Sequence, residues 1–108
     1  MTDLNALLLL PDVREQLAGV ANLEFVDLPT NDAWLRDTGP VFVVPRDATA
    51  APAAVCFRWN AWGGKYPPWD LDAALGRSIA ERLGVRVIDG GLVLEGGALE
   101  TDGDGTLL

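Results

Sequence analysis

Two acidic residues are the first candidates for chemistry, because each stands where a side chain can meet a ligand. Asp37 belongs to the stretch PTNDAWLRDTGP, which is dense in turn-forming residues and has no sustained period, as expected of a structured loop. Glu95 follows an apolar run and precedes Gly96 and Gly97, so it is predicted at a strand end beside backbone that a ligand can approach closely. On the first loop, Asp32 and Asp37 are two carboxylates beside the aromatic face of Trp34, a combination that suits a cationic ligand.

Both acids also have ordinary structural interpretations. Near Asp37, Asp32 can begin an Asx turn, Arg36 can pair with Asp37, and Trp34 can fill the core instead of flanking a cation. Glu95 can be an exposed residue of a hairpin turn, which is the commoner fate of glutamate. For the Asp37 loop the two interpretations balance about evenly, since ion pairs also form without function.

A second candidate surface is the segment FRWNAWGGKYPPW, which holds all but one of the tryptophans. Aromatic faces attract guanidinium and ammonium groups, so this segment can form the wall of a cation site. Packing of Trp59, Trp62 and Trp69 beneath a long loop is nevertheless the favoured interpretation. The Gly-Lys pair in this segment is not a phosphate-binding loop, because tyrosine follows it where Ser or Thr is required.

The chain has a single cysteine and no histidine. A zinc site and a Cys/His or Ser/His catalytic pair therefore cannot be assembled from these residues, and no metal ligand is predicted. Cys56 alternates with apolar neighbours in a strand pattern, which favours a buried structural thiol over a nucleophile. The DGDG sequence near the end lacks the distal Glu of a calcium loop and is interpreted as a turn.

Eight Lys and Arg residues against sixteen Asp and Glu residues give a formal charge of −8. Such an excess repels nucleic acid and anionic membrane surfaces and attracts cations, so neither a nucleic-acid nor a membrane partner is expected. The apolar run Ala6–Leu10 is too short and wrongly flanked for a signal peptide or a membrane span. A cytoplasmic protein is predicted.

The elements that must position these residues follow from the hydrophobic pattern and indicate an α/β arrangement in one domain, residues 1–108. The predicted elements are a buried strand at 6–10, a helix from the cap Asp12 to Gly19, a strand at 23–28, a hairpin of strands at 41–44 and 55–59, a helix capped by Asp70 and ended by Gly84, and short strands at 85–88, 92–94 and 98–101. The last residues read as the middle of a strand, which predicts a fragment.

Three segments in register, TNDAWLRDTGPVFVV, FRWNAWGGKYPPWD and LVLEGGALETDGDGTLL, closely resemble the agmatine deiminase family, guanidine-modifying enzymes related to the peptidyl-arginine deiminases. The resemblance begins at about Leu8 and implies the pentein fold, an α/β propeller of ββαβ modules. This chain would supply a partial pentein with an incomplete ring. The resemblance implies that this chain lacks the early part of the first module, ahead of Ala6, so a homo-oligomer or an unstable chain is expected.

The family hydrolyses the guanidinium of agmatine, a decarboxylated arginine, to N-carbamoylputrescine and ammonia in putrescine biosynthesis, without metal or organic cofactor. By motif, the resemblance implies that Asp37 of WLRD and Glu95 of LEGG hold the guanidinium, with Trp34 along the substrate chain. Paired carboxylates suit this planar cation because they fix its N–H groups in bidentate geometry and neutralise its charge. A cysteine thiolate then attacks the central carbon, a histidine assists the departure of ammonia, and water cleaves the thiouronium intermediate.

The family's histidine and nucleophilic cysteine are absent here, since Cys56 lies far from the nucleophile motif. No catalytic residue is therefore assigned, and the isolated chain is predicted to be inactive. Either it contributes Asp37 and Glu95 to the activity of a longer protein or complemented assembly, or it is a catalytically silent acidic binding or structural domain. A generic acidic interaction domain would require all three motifs to be accidental. A peptidyl arginine remains an alternative substrate, because agmatine is favoured only by family likeness.

Overall fold

The structure is a computed structural model that describes residues 11–47 and 49–108. Its regular elements are helices α1 (Pro11–Gln16) and α2 (Leu35–Thr38), strands β1 (Val41–Val43) and β2 (Ala53–Arg58), the helical turn α3 (Ala61–Gly64), helix α4 (Asp70–Leu83), strand β3 (Arg86–Val93) and a 3-10 helix, η1 (Gly96–Ala98). This mixture of helices and strands agrees with the α/β prediction. The predicted strand at 6–10 lies outside the described residues.

The three strands form one mixed sheet in the order β1-β2-β3. β1 and β2 are antiparallel, with Val41 opposite Val55, which confirms the predicted hairpin. β2 and β3 are parallel, with Ala53 opposite Arg86. Parallel neighbours cannot be joined by a tight turn, and α4 provides the crossover between them.

Helix α4 packs on β2 and β3. Its extent agrees with the prediction made from apolar residues three and four positions apart. It ends at Gly84, whose left-handed conformation (φ 67°) lets its N–H donate to the carbonyls of Ala80 and Glu81. Gly76, in the middle of the helix, is buried against the carbonyl oxygen of Thr38, which would lie 3.2 Å from an added Cβ. The helix can therefore approach the end of α2 closely.

Strand β3 is one continuous element, so the prediction of separate strands at 85–88 and 92–94 is wrong. The pairing with β2 is irregular beyond Cys56, where the register shifts. Gly91 has φ 74°, and a Cβ on Gly90 would overlap the ring of Phe57. The two glycines therefore allow a bulge within the strand and do not end it.

The segment 23–28, predicted as a strand, has no strand pairing among the described residues. A strand exists only where its backbone groups pair with a neighbour, and the described sheet, β1-β2-β3, does not include this segment. Val26 lies instead in a groove with Ile79 of α4. Glu24 forms an exposed ion pair with Arg82 at the rim of that groove.

The prediction of a strand at 98–101 is also wrong. Ala98 belongs to η1, and Thr101 pairs through an isolated bridge with Leu107. Helix α1 is shorter than predicted, since it ends at Gln16 and not near Gly19.

The DGDG sequence forms a turn, as predicted. The Asp102 carboxylate oxygen Oδ1 accepts the N–H of Asp104 at 2.8 Å and that of Thr106 at 3.0 Å. Hydrogen bonds from the Thr106 side chain, then from the Asp104 and Thr106 amides, hold the pKa of Asp102 below its ordinary value. The carboxylate thus organises the turn in its charged form.

The core described by the structure consists mostly of small side chains, and its buried apolar members are Ala53, Ala54, Trp59, Ala61, Leu75 and Ala80. Larger apolar residues such as Phe42, Leu83 and Leu92 are exposed. Within residues 11–47 and 49–108, no helix has the length and apolar character needed to cross a membrane.

Candidate functional site

The segments that carry Asp37 and Glu95 meet in the fold, although Asp37 and Gly97 are 60 residues apart. The Asp37 carboxylate oxygen Oδ1 accepts the N–H of Gly97 at 3.0 Å. Gly97 belongs to η1, which begins directly after Glu95. Arg36 donates from Nη2 to the carbonyl oxygen of Leu99 at 3.2 Å. The adjacent side chains of Arg36 and Asp37 therefore each make one hydrogen bond that holds α2 against η1 and the residue that follows it.

The glycines that follow Glu95 are required by this packing. A Cβ on Gly97 would overlap the Asp37 carboxylate, and a Cβ on Gly96 would overlap the carbonyl oxygen of Arg36. The sequence predicted that a ligand would approach these glycines closely. In the structure it is α2 that approaches them.

Arg36 and Asp37 do not form the alternative ion pair, because both side chains bond to the segment 97–99. Asp37 and Glu95 are each half-buried. Within the part of the chain that the structure describes, the second oxygen of Asp37, Oδ2, has no hydrogen-bond partner. The backbone of Gly97 therefore fixes one oxygen of this carboxylate.

The loop before α2 is attached to the start of α4 by reciprocal hydrogen bonds. The Asn31 side-chain oxygen Oδ1 accepts the N–H groups of Leu71 at 2.9 Å and Asp72 at 3.0 Å. In return, the Asp72 oxygen Oδ1 accepts the N–H groups of Asn31 at 2.7 Å and Asp32 at 3.3 Å. Asp72 is only 3% exposed, so these donors replace the hydrogen bonds that its side chain would otherwise make to water.

Sequence reasoning missed this attachment. The residue before α4 is Trp69, which makes no side-chain cap hydrogen bond, and Asp70 is the first helical residue and not its cap. Asn31, 40 residues earlier, satisfies the first free N–H groups of the helix. A turn-forming Asn within PTND was the only signal, and it carries no information about a distant partner.

Trp62 is the centre of an aromatic cluster, defined here as Trp34, Trp59, Trp62 and Tyr66. Its ring centroid lies 5.4 Å from that of Trp34, 4.7 Å from that of Trp59 and 5.6 Å from that of Tyr66. All three contacts are edge-to-face, with interplanar angles of 82°, 79° and 89°. Such contacts are the favoured geometry for aromatic pairs.

The turn α3 places Trp62 at this position through an unusual backbone. Ala61 and Trp62 have φ values of 53° and 56°, and Gly63 and Gly64 follow with φ 81°. Left-handed conformations cost about 1–2 kcal/mol for residues other than glycine. The Asn60 side chain stabilises the turn by accepting the N–H of Gly63 at 2.9 Å.

A hollow of about 370 Å³ lies beside the cluster. It is lined by Asn31, Asp32, Trp34, Trp59, Ala61, Trp62, Lys65, Tyr66, Pro67, Pro68 and Asp72. Trp34 is 49% exposed and Tyr66 61% exposed, whereas Trp59 is 6% exposed. The packing interpretation therefore holds for Trp59, but Trp34 is not a core residue. Asp37 and Glu95 are not among the lining residues.

Cys56 is half-buried in β2. Burial raises the pKa of its thiol. The positive charge of Arg77 lowers this pKa and the negative charge of Asp89 raises it, both by less than burial does. A thiol in this state carries little thiolate at neutral pH and is a poor nucleophile. Among the described residues, no three His, Cys, Asp or Glu side chains are grouped to hold a metal ion.

Comparison with known proteins places this geometry in a family. Residues 4–108 match the family described as Porphyromonas-type peptidyl-arginine deiminase. An agmatine deiminase of Pseudomonas savastanoi pv. phaseolicola is 42% identical over 94 residues, which make up 82% of this chain and 25% of the relative. The chain thus spans about a quarter of the length of this curated relative.

Two solved structures resemble the chain closely. An agmatine deiminase of Enterococcus faecalis aligns with a TM-score of 0.68 and 39% identity, covering 74% of this chain and 23% of that one. A C. jejuni agmatine deiminase with substrate bound aligns with a TM-score of 0.71 and 28% identity, covering 91% and 28%. The three sequence motifs, the family match and these structures agree, and the chain belongs to the Porphyromonas-type peptidyl-arginine deiminase family, with agmatine deiminases among its relatives.

Proposed function

We propose that this chain provides the guanidinium-binding carboxylates, Asp37 and Glu95, of an agmatine deiminase. The observation that carries the proposal is the hydrogen bond from Gly97 to Asp37, which holds the LRD motif against the LEGG motif. The names of the relatives support agmatine as substrate, and one of the similar structures is described with substrate bound.

Two half-buried carboxylates bind a guanidinium more strongly than two exposed ones, because partial desolvation weakens the competition from water. Asp37 would present its free oxygen, Oδ2, while its other oxygen stays bonded to backbone. Glu95 would bond the opposite edge of the planar cation. This arrangement orients the central carbon for attack and contributes to binding, but it does not itself break a bond.

The reaction replaces one guanidinium nitrogen with oxygen from water, so that agmatine and water give N-carbamoylputrescine and ammonia. Its nucleophile and proton donor would come from outside these 108 residues. Cys56 does not fit the nucleophile's role, since burial raises the pKa of its thiol and its strand pairs with β1 and β3. Trp34 would lie along the substrate chain, a role supported by its exposed ring beside the hollow.

Residues 1–108 would form one partial domain of a pentein, an α/β propeller of ββαβ modules. The exposed apolar residues on the described strands, such as Phe42 and Leu92, support further packing partners for the sheet, including a second copy of the chain. The protein would act in the cytoplasm in putrescine synthesis.

Turnover provides the first test. We expect the purified 108-residue chain, incubated with agmatine, to release neither ammonia nor N-carbamoylputrescine. Ammonia release that Cys56→Ser abolishes would contradict this expectation and make Cys56 the nucleophile.

Binding provides the second test, by calorimetry with butylguanidinium as the probe. Loss of a charged hydrogen bond costs about 1.5–3 kcal/mol, so Asp37→Asn and Glu95→Gln should each weaken binding by about tenfold or more. Asp104→Asn, which removes the same charge from the exposed DGDG turn, is the matched control and should have little effect. Equal affinity for all four proteins would contradict the proposed site.

The alternative is a catalytically silent acidic binding or structural domain. The absence of histidine from the chain and the half-buried Cys56 favour it as the second candidate. No binding of butylguanidinium by a chain with a cooperative unfolding transition would support this alternative over the first proposal.

A further inference from the structure

Arg36 stands beside Asp37 in the WLRD motif but takes no part in the guanidinium binding proposed above. We infer that Arg36 is a positioning residue for this site, which fixes Glu95 in place by holding the carbonyl group of Leu99. The consequence for ligand binding rests on the proposed function. The fixing of the segment that follows Glu95 does not, because it requires no ligand.

The backbone on both sides of Glu95 is held by hydrogen bonds. Before it, the N–H of Leu94 donates to the carbonyl oxygen of Arg58 at 3.3 Å, which ties the end of β3 to β2. After it, the N–H of Ala98 donates to the carbonyl oxygen of Glu95 at 2.9 Å and closes the turn of η1. Because Glu95 is the residue directly before η1, the direction of its side chain depends on how η1 is oriented relative to the sheet.

Two hydrogen bonds to α2 set the orientation of η1. The N–H of Gly97 donates to the Asp37 carboxylate at 3.0 Å, and Nη2 of Arg36 donates to the carbonyl oxygen of Leu99 at 3.2 Å. One hydrogen bond alone leaves a segment free to turn about that bond, whereas bonds on two different residues remove this freedom. Arg36 therefore provides the second point of attachment, and with it the alignment of Glu95 that binding in a defined geometry requires.

The Arg36 guanidinium is held away from the two acids that it could otherwise neutralise. Among the described residues, Arg36 takes part in no ion pair, although Asp37 is its neighbour in the chain. Its hydrogen bond goes instead to a neutral carbonyl group, that of Leu99. The same contact that fixes η1 thus leaves the negative charges of Asp37 and Glu95 to an external cation.

Arg36 has two effects of opposite sign on a cationic ligand. Its positive charge lies near the site, since Nη1 would be 4.0 Å from a Cβ on Gly96, and removal of such an exposed charge strengthens cation binding by about fivefold at most. Its hold on Leu99 aligns Glu95, and loss of the charged hydrogen bond that Glu95 would make costs about tenfold or more. The loss exceeds the gain, so removal of Arg36 should weaken binding by about threefold. A role as a surface charge alone would give the reverse sign.

The test measures butylguanidinium binding to the 108-residue chain by calorimetry, and amide hydrogen exchange at Gly97 without ligand. Arg36→Met, which removes the donor and the charge, should weaken binding by about threefold and make exchange at Gly97 faster. Arg36→Lys keeps one donor for the carbonyl of Leu99 and should retain part of the affinity. Arg86→Met removes the same charge at the start of β3, the end of the strand opposite to Glu95, and is the matched control. Both arginines are exposed, so the variants should fold, which urea unfolding checks.

A double-mutant cycle identifies the residue through which Arg36 acts. In the Glu95→Gln background, the charged hydrogen bond that Arg36 aligns is already lost, and only the repulsion between Arg36 and the ligand remains. Arg36→Met should therefore weaken binding in the unmodified chain but strengthen it in Glu95→Gln. A general loss of stability would weaken binding in both backgrounds, so the change of sign distinguishes positioning from a merely structural role.

Three results would overturn the inference: unchanged or tighter binding by Arg36→Met in the unmodified chain, equal weakening in both backgrounds, or unchanged exchange at Gly97. Failure of the proposed function is recognised separately, because the unmodified chain would then bind no butylguanidinium. Exchange at Gly97 still decides in that case whether Arg36 fixes the segment after Glu95, since this measurement needs no ligand.

Discussion

Replacing Asn31 with alanine tests whether the site loop depends on its attachment to α4. The Asn31 side chain accepts the N–H groups of Leu71 and Asp72, which have no partner within the helix. Loss of a cap of this kind costs about 1–2 kcal/mol of the free energy of unfolding. With a urea dependence of about 1.5 kcal/mol per molar, the unfolding midpoint should fall by roughly 1 M.

The assay is urea unfolding followed by tryptophan fluorescence, together with amide hydrogen exchange at Leu71 and Asp72, which should become faster in Asn31→Ala. Ser78→Ala is the control on the same helix, because the Ser78 hydroxyl only donates to the carbonyl of Ala74. Its effect should stay within about 0.5 kcal/mol. Unchanged exchange at both amides, or a midpoint equal to that of the control, would refute the reasoning.

A double-mutant cycle separates attachment from capping. Asp72→Ala removes the carboxylate that accepts the N–H groups of Asn31 and Asp32. Since both sets of hydrogen bonds hold the same loop on the same helix, the second substitution should cost less once the first is present, with a coupling of about 1 kcal/mol. Strict additivity would mean that the two sets act independently.

Two further predictions concern other parts of the fold. Gly96→Ala should lower the free energy of unfolding by about 1–3 kcal/mol, because its Cβ would overlap the backbone carbonyl oxygen of Arg36. Gly19→Ala, with open space around it, is the control, and equal urea-unfolding midpoints for the two variants would contradict the prediction. In an NMR titration, Asp102 should show a pKa below its ordinary value, and Thr106→Ala should raise that pKa because it removes the side-chain hydrogen bond. Because the folded-state pKa of Asp102 is lowered, its contribution to stability is present above about pH 3.9 and is lost as the pH falls through the folded-state pKa. An unchanged pKa of Asp102 in Thr106→Ala would contradict the role of this hydrogen bond.

Local patterns were sufficient for the elements whose stability is decided within a short stretch of chain. The spacing of apolar residues predicted α4, Gly84 predicted its end, and strong strand residues predicted the β1–β2 hairpin. The segments 23–28 and 98–101 have strand-like composition but do not form strands in the described structure. A strand requires a partner, and the partner is not encoded in the segment itself.

For the site, the sequence by itself determined the residue types, an excess of negative charge and motifs specific enough to indicate the family. Only the tertiary structure decided that Asp37 bonds to Gly97, that Asn31 caps a helix 40 residues away and that Trp62 joins three other rings. These contacts close long loops, so their formation depends on the packing of the whole chain around α4 and the sheet. Periodicity describes neighbours within one element and carries no information about which distant backbone group a side chain will meet.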